Sequence, residues 1–284
     1  MITRFAPSPT GPLHLGHAYS AVLAHDMAQA GGGTFFLRIE DIDRSRARAE
    51  WEAQIYDDLT WLGLAWPAPV MRQSDRMDAY SSALQMLWSA GHIYACTCTR
   101  RDIIEAVDAP QEGQVVPLGP DGLIYPGTCR ETDKRDLFPE NAALRLNLEA
   151  ALADDATFMF KETGVGPRGE TGSITFSARD AITAIGDIVL ARRDIGTSYH
   201  LSVVLDDAAL GVTHVVRGMD LFDATKIHVI LQRLLGLPTP IYHHHRLIRD
   251  DAGKRLAKRD DARAIATYRA DGASPADIRS MVGL

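Results

Sequence analysis

An α/β fold built on a doubly wound parallel sheet is the architecture this sequence predicts, and three observations predict it. Strand-like and helix-like segments alternate as far as Gly91, the alternation stops near Ile93, and it resumes near Thr197. Alternation of this kind places helices on both faces of a parallel sheet, with a ligand at the carboxyl ends of the strands. The interruption reads as a subdomain inserted between two halves of one fold.

Each element has a local reason. Met1–Pro7 reads as a buried strand. Leu15 to about Ala30 is a helix whose Leu15, Ala18, Val22 and Met27 form an apolar stripe, and Gly31-Gly32-Gly33 stops it. Thr34–Ile39 is a second strand, rich in aromatic and branched residues. Ser45–Leu62 and Asp75–Ala90 are amphipathic helices, the second ended by Gly91. From about Ile93 to Leu190 short segments alternate with turns, and Ala109–Pro126 carries glycine or proline at 110, 113, 117, 119 and 120. After Thr197, Ser198–Leu210 and Leu221–Leu235 read as helices and Thr213–Val216 and Pro240–Leu247 as strands. Two short helices, Ala262–Ala270 and Pro275–Val282, close the chain. The expected organisation is 1–92 for the first half of the catalytic sheet domain, 93–196 for the insertion, 197–260 for the second half and 261–284 for a helical C-terminal segment.

The 284 residues can bury a substantial core, and 46% hydrophobic with 24% charged residues is ordinary globular composition. No apolar run approaches the ~20 residues of a membrane span, and no leader precedes the first strand, so a cytoplasmic location is expected. A net charge of −7 argues against binding nucleic acid through a global positive field. Local basic clusters at Arg100-Arg101, Arg192-Arg193, Arg246 with Arg249, and 254–259 leave room for a specific RNA partner, although such clusters also occur as solvated faces.

Two segments far apart in the chain carry phosphate chemistry. The first runs from Arg4 to His17, Arg-Phe-Ala-Pro-Ser-Pro-Thr-Gly-Pro-Leu-His-Leu-Gly-His. A strand, a Pro/Gly turn and then His-x-Gly-His opening a helix lets backbone approach a triphosphate at a helix N-terminus, with His14 and His17 one turn apart as hydrogen-bond donors. A lone His-Leu-Gly-His could be a chance turn; the length of the stretch argues against that. The second is Gly253-Lys254-Arg255-Leu256-Ala257-Lys258-Arg259, a source of mobile cations for a phosphate-rich transition state.

Arg4, Ser8 and Glu40 stand at the ends of the first two strands, where a parallel sheet brings them together. Arg4 suits bidentate carboxylate capture and Glu40 an ammonium. The acids of Glu40-Asp41-Ile42-Asp43 lack the spacing of a calcium loop. Arg217 follows Val215-Val216 at a strand end and needs an anionic partner. His243-His244-His245 resembles a metal tract, but alternation on a strand divides the trio between two faces, so it reads as structural or nucleotide-adjacent. The three cysteines, Cys96, Cys98 and Cys129, all fall in the insertion. Their odd number argues against a disulfide set and their clustering favours zinc, which wants four ligands; three buried thiols without metal is the alternative.

The two phosphate segments resemble the paired motifs of class I aminoacyl-tRNA synthetases. Arg38–Asp43, Gln73–Arg76, Cys98–Arg101 and Gly211–Gly218 are similar to the glutamyl branch, and the resemblance runs from residue 2 to about residue 260. It implies a Rossmann-type catalytic domain that joins L-glutamate to ATP, with Mg2+, and releases pyrophosphate. In that reading His14, Gly16, His17 and Lys258 hold ATP, with His14, His17 and Lys258 catalytic, and Arg4, Phe5, Ala6, Pro7, Ser8, Glu40, Tyr199 and Arg217 bind glutamate. The second motif departs from the family's Lys-Leu-Ser-Lys-Arg at Arg255 and Ala257, and Lys254 could replace the first lysine if the loop shifts by one.

Tyr125-Pro-Gly-Thr-Cys129-Arg130 resembles the glutamyl-Q tRNA(Asp) branch, in which a tyrosine completes a Cys-x-Cys…Cys zinc site. The resemblance implies one structural zinc on Cys96, Cys98, Tyr125 and Cys129, although the 26 residues between Cys98 and Tyr125 exceed what that branch usually carries. Only Asp260–Leu284 follow the second motif, so no anticodon-binding domain is expected. The implied activity is a ligase that transfers glutamate to queuosine in the anticodon loop of tRNA(Asp), acting as a monomer. A truncated enzyme charging a tRNA 3′ end, or a non-catalytic tRNA- or nucleotide-binding regulator, are the other readings.

Overall fold

Strands β1 (Ile2–Phe5) and β2 (Thr34–Ile39) pair in parallel, Ile2 opposite Thr34, and the short β3 (Met71–Arg72) extends them in parallel beyond β2. Helix α1 (Leu15–Ala30) crosses between β1 and β2 and buries Leu15, Ala18, Tyr19, Ala21, Val22, Ala24 and Ala28. The turn that ends it is tight enough to demand glycine at 33, where a Cβ would lie 1.6 Å from the Met1 carbonyl oxygen. The computed structural model describes residues 1–107, 118–131, 137–139, 142–249 and 263–284.

Helix α2 (Ala49–Trp61) starts later than the hydrophobic pattern predicts. The Asp43 carboxylate accepts from Ser45 Oγ and Arg46 Nε, both at 2.6 Å, and the Arg48 amide donates to the Pro9 carbonyl, so 44–48 form a turn against the first motif. Helix α3 (Met77–Ser89) is likewise shortened, because Gln73 and Arg76 of a 3-10 turn reach Asp206.

Within the interrupted region, β4 (Ile93–Cys96), helix α4 (Arg100–Val107), a small hairpin of β5 (Leu118–Gly119) and β6 (Gly122–Leu123), β7 (Ala143–Leu146) and the one-turn α5 (Leu148–Ala151) follow in order. Next come β8 (Thr157–Glu162), β9 (Gly172–Ser177), α6 (Ala178–Ala184) and β10 (Val189–Ala191). β7 is the centre of an antiparallel sheet ordered β10-β7-β4.

The α/β pattern returns with α7 (Tyr199–Ala209), β11 (His214–Gly218), α8 (Ala224–Leu234) and β12 (Ile241–His245). β11 and β12 pair in parallel, and β8 joins β12 in parallel while turning back on β9, so β8 and β9 extend the sheet of the second half. Thr213 ties this sheet to the first: its amide donates to the Ile2 carbonyl at 3.0 Å and its hydroxyl accepts from the Ile2 amide at 2.8 Å. β1 and β11 therefore stand side by side, and the strand order reverses between them. In a doubly wound sheet that crevice is where ligands bind.

Helices α9 (Ile265–Ala270) and α10 (Pro275–Val282) pack back on the first half, where Arg279 makes a two-point ion pair with Asp26 of α1. Residues 250–262, including the whole Lys/Arg motif and Lys258, lie outside the described residues. Among the described residues no helix is long and apolar enough to cross a membrane.

One buried acid is expected to make the fold pH-sensitive. Asp58, on the inner face of α2 beside Ile55 and Leu59, is fully buried with both carboxylate oxygens lacking a hydrogen-bond partner. Burial first, and the adjacent Asp57 second, push its carboxyl up to about 6. A carboxyl harder to ionise when folded costs stability that grows as pH rises through its unfolded value and is complete above the folded one. Each tenfold weakening of its acidity on folding is worth about 1.4 kcal/mol, so Asp58→Asn is expected to raise stability at pH 7 by about 3 kcal/mol and to change it little below pH 4. Melting curves of both proteins at pH 4 and pH 7 check this; a gain equal at the two pH values contradicts it.

Candidate active site

The carboxyl ends of β1, β2 and β11 open into one cleft. Its inner part is a cavity of about 350 Å³ lined by Arg4, His14, Gly16, His17, Glu40, Tyr199, Arg217 and His245, among others. An outer cavity of about 820 Å³ adjoins it across Phe5, Ala6, His17, Glu40 and Tyr199 and continues over Pro7, Ser8, Asp43, Arg46, Asp121, Arg192 and His200. The glutamate- and phosphate-handling residues expected on the first motif, Glu40, Tyr199 and Arg217 all face this cleft.

At the start of α1 the two imidazoles close a reciprocal cap. His14 Nδ1 accepts from the Gly16 amide at 3.1 Å, and His17 Nδ1 accepts from the His14 amide at 3.2 Å. A neutral imidazole accepting at Nδ1 carries its proton on Nε2. Both rings, with centroids 3.8 Å apart, therefore present Nε2–H as the donating nitrogen at a helix N-terminus. Gly16 permits the arrangement, since a Cβ there would sit 3.0 Å from His14 Cε1.

The charged groups divide into two sets. Arg4 gives Nε to Asp207 at 3.0 Å and Nη1 to the Val216 carbonyl at 3.4 Å, so part of its donor fork is engaged within the fold. Arg38, wholly buried, bonds both Asp207 and Glu40. Burial pushes the Asp207 carboxyl up, but Arg4 and Arg38 outweigh it and hold the group below its ordinary value. For Glu40 burial wins over Arg38 and Arg4, and its carboxyl is raised, which leaves it receptive to an incoming cation. The Tyr199 hydroxyl is also raised by burial, despite nearby Arg217.

Arg217 is buried with neutral partners only: His244, His228, Thr225 and the Leu221 carbonyl, with no carboxylate among the described residues. A buried guanidinium so placed at the edge of a cavity is chemically suited to receive an anion.

Sequence reasoning missed Arg38, Asp206, Asp207 and His228. The signal was present in Asp206-Asp207, an acid pair within the apolar run Val203–Leu210, since buried carboxylates require buried cations. The histidine trio is divided by strand alternation as expected. His244 turns to Arg217 and Glu162, while His243 meets Thr163 and His245 meets Ser20 at 2.8 Å.

The three thiols come together although Cys129 is far from the others in sequence. Cys96, Cys98 and Cys129 Sγ all lie within 4.8 Å of one another, and this is the one metal-competent cluster among the described residues. Cys98 Sγ is 3.5 Å from Cys129 Sγ, and Tyr125 Oη is 3.5 Å from Cys96 Sγ and 3.2 Å from Cys98 Sγ. Tetrahedral zinc with Zn–S near 2.3 Å and Zn–O near 2.0 Å needs S···S edges of about 3.8 Å and S···O edges of about 3.5 Å. Those three edges lie within about 0.3 Å of these values, so the three thiols, with Tyr125 beside them, could hold a metal. Arg145 lies over the Tyr125 ring, 3.9 Å from its centroid, with Nε 3.3 Å from Cys96 Sγ, a cation that offsets a set of thiolates. Burial raises the Cys129 thiol, but hydrogen bonds from Tyr125, the Thr97 backbone and Cys98 bring it down to about 6, while burial holds its neighbour Cys98 up at about 11.

Comparison with known proteins agrees with this architecture. Residues 1–284 match the family described as tRNA synthetases class I (E and Q), catalytic domain. The glutamyl-Q tRNA(Asp) synthetase of Rhodobacter capsulatus is 63% identical over the full length of both chains. That of Geobacter sulfurreducens is 41% identical over 95% of this chain and 79% of its own. Among solved structures, a glutamate tRNA ligase from Elizabethkingia meningosepticum superposes with a TM-score of 0.76 at 25% identity; all of this chain is covered, and it spans 60% of that protein's length.

Proposed function

The chain belongs to the class I (E and Q) tRNA synthetase family, whose members are ligases, and we propose that it activates L-glutamate with ATP and transfers the glutamyl group to queuosine in the anticodon loop of tRNA(Asp). The observation that carries this reading is one cleft holding a capped imidazole pair at a helix N-terminus, the acid Glu40 and the guanidinium of Arg217, which meets no carboxylate among the described residues.

In this reading ATP, with Mg2+, sets its phosphates at the start of α1. Glu40 takes the substrate ammonium, Arg217 its side-chain carboxylate, and Phe5–Ser8 and Tyr199 flank the chain. The substrate α-carboxylate oxygen attacks the α-phosphorus in line, the bond to the bridging oxygen breaks, and pyrophosphate leaves. Charge gathering on the phosphate oxygens meets His14 Nε2–H, His17 Nε2–H and, from the second motif, Lys258. Positioning and charge neutralisation do this work without a protein nucleophile.

In the second step an acceptor hydroxyl attacks the adenylate carbonyl, an ester forms and AMP leaves. The outer cavity has room for a nucleoside and carries Arg192, Arg46, Asp43 and Asp121. The cyclopentenediol of queuosine resembles a ribose diol and can offer the hydroxyl. Cys96, Cys98, Tyr125 and Cys129 would hold one structural zinc, whose chemistry is to tie the inserted segment together. The protein acts as a cytoplasmic monomer in this proposal.

Radiolabelled glutamate, ATP and tRNA(Asp) with or without queuosine test the acceptor. Label is expected only on the queuosine-bearing RNA, as a base-labile ester that survives enzymatic removal of the 3′-terminal nucleotides. Label lost with the 3′ end and present on RNA lacking queuosine overturns the reading in favour of ordinary aminoacylation.

A further inference from the structure

Arg4 and Arg217, both lining the inner cavity, are wired in opposite ways. Arg4 touches Asp207 directly, so its charge is met inside the fold. Arg217 donates Nε to His244 Nε2 at 3.1 Å, Nη1 to His228 Nδ1 at 3.0 Å, and Nη2 to Thr225 Oγ1 at 2.6 Å and the Leu221 carbonyl at 3.2 Å. A guanidinium can only donate, so the facing nitrogens of both imidazoles carry lone pairs and each neutral ring holds its proton on the far side. His244 passes its Nδ1–H to Glu162 Oε2 at 2.5 Å. His228 passes its Nε2–H to His200 Nδ1 at 3.1 Å, and His200 in turn faces Asp121 from Nε2 at 3.3 Å.

Two carboxylates therefore reach Arg217 only through neutral rings. Four of the five N–H groups donate to these partners, which fixes the fork, yet among the described residues no carboxylate lies directly against the guanidinium. Burial and the cation together hold His228 well below the ordinary imidazole value, consistent with a neutral ring.

We infer that His228 and His244 are specificity-determining positioning residues: by holding Arg217 through neutral contacts they leave its charge for the side-chain carboxylate of the amino acid, and so favour glutamate over its uncharged amide. This rests on Arg217 being the receptor of that carboxylate.

The test is a pair of near-isosteric substitutions, His228→Gln and His228→Glu. Glutamine at 228 can accept from Arg217 and donate to His200; glutamate places a carboxylate directly on the guanidinium. Pyrophosphate exchange is measured with glutamate and with glutamine as the amino acid. His228→Gln is expected to keep the KM for glutamate within about threefold, whereas His228→Glu raises it about tenfold or more and narrows the preference over glutamine by a similar factor, kcat changing less. Thr225→Asp against Thr225→Asn repeats the comparison from the other side of Arg217, so that a folding defect at one site, seen in the melting curve, does not decide the outcome. Glutamate and glutamine discrimination unchanged between the charged and neutral member of both pairs overturns the inference. Arg217→Ala separates the two levels: if it leaves the KM for glutamate unmoved, the assignment of Arg217 fails, and if it raises that KM while the pairs behave alike, only the role of the histidines fails.

Discussion

His17→Ala is expected to lower glutamate-dependent pyrophosphate exchange by on the order of 10²-fold or more, the usual loss on removing one preorganised donor from a developing charge. The ring has two separable duties. Its Nδ1 accepts from the His14 amide and completes the cap of α1, a contribution of about 1 kcal/mol that melting curves report. In the proposed mechanism its Nε2–H is the donor to phosphate, and the loss of that donor is expected in kcat. A large fall in kcat with a melting shift of only a few degrees is the expected signature. Lys258→Ala in the second motif is expected to cost a similar factor. Exchange unchanged in both variants would remove the basis for assigning adenylate chemistry to this cleft.

How much of this site was legible in the sequence differs from residue to residue. The strand, the turn and the helix that carry His14 and His17 are consecutive, so local pattern places them, and the match to a class I synthetase family confirms the fold class. Glu40 and Arg217 stand at strand ends, where a parallel sheet brings remote residues together by rule. The support beneath them was not legible. Nothing local in Glu162 says that β8 lies beside β12, and only that pairing puts its carboxylate on His244. His200 and His228 lie in helices whose apolar spacing makes a histidine look like an ordinary core residue; their contact becomes visible only when α7 and α8 are side by side. Asp206 and Asp207 could have been found, because two acids in an apolar helix must meet cations such as Arg4, Arg38 and Arg76. Helix starts were misjudged where side chains of the motif loops captured them, as Asp43 does with Ser45 and Arg46.

Metal removal is expected to separate transfer from activation. Elemental analysis of metal-replete protein is expected to find one zinc per chain, lost in Cys98→Ala, and Tyr125→Phe to weaken zinc affinity about tenfold or more, the phenolate oxygen being the proposed fourth corner. The thiol cluster packs with Tyr94 and Ile103, apart from His14 and His17 at the start of α1, so glutamate-dependent pyrophosphate exchange is expected to stay within about twofold. Transfer is expected to depend on the metal through the chain itself. Tyr125 follows two residues after β6, and the hairpin that β6 closes carries Pro120 and Asp121 into the outer cavity. Releasing Tyr125 frees the root of that hairpin, so the acceptor surface loosens while the nucleotide site stays intact, and transfer falls by on the order of tenfold. Zinc-free protein that transfers as well as it activates refutes the structural link, and full zinc affinity in Tyr125→Phe assigns the fourth ligand to another residue.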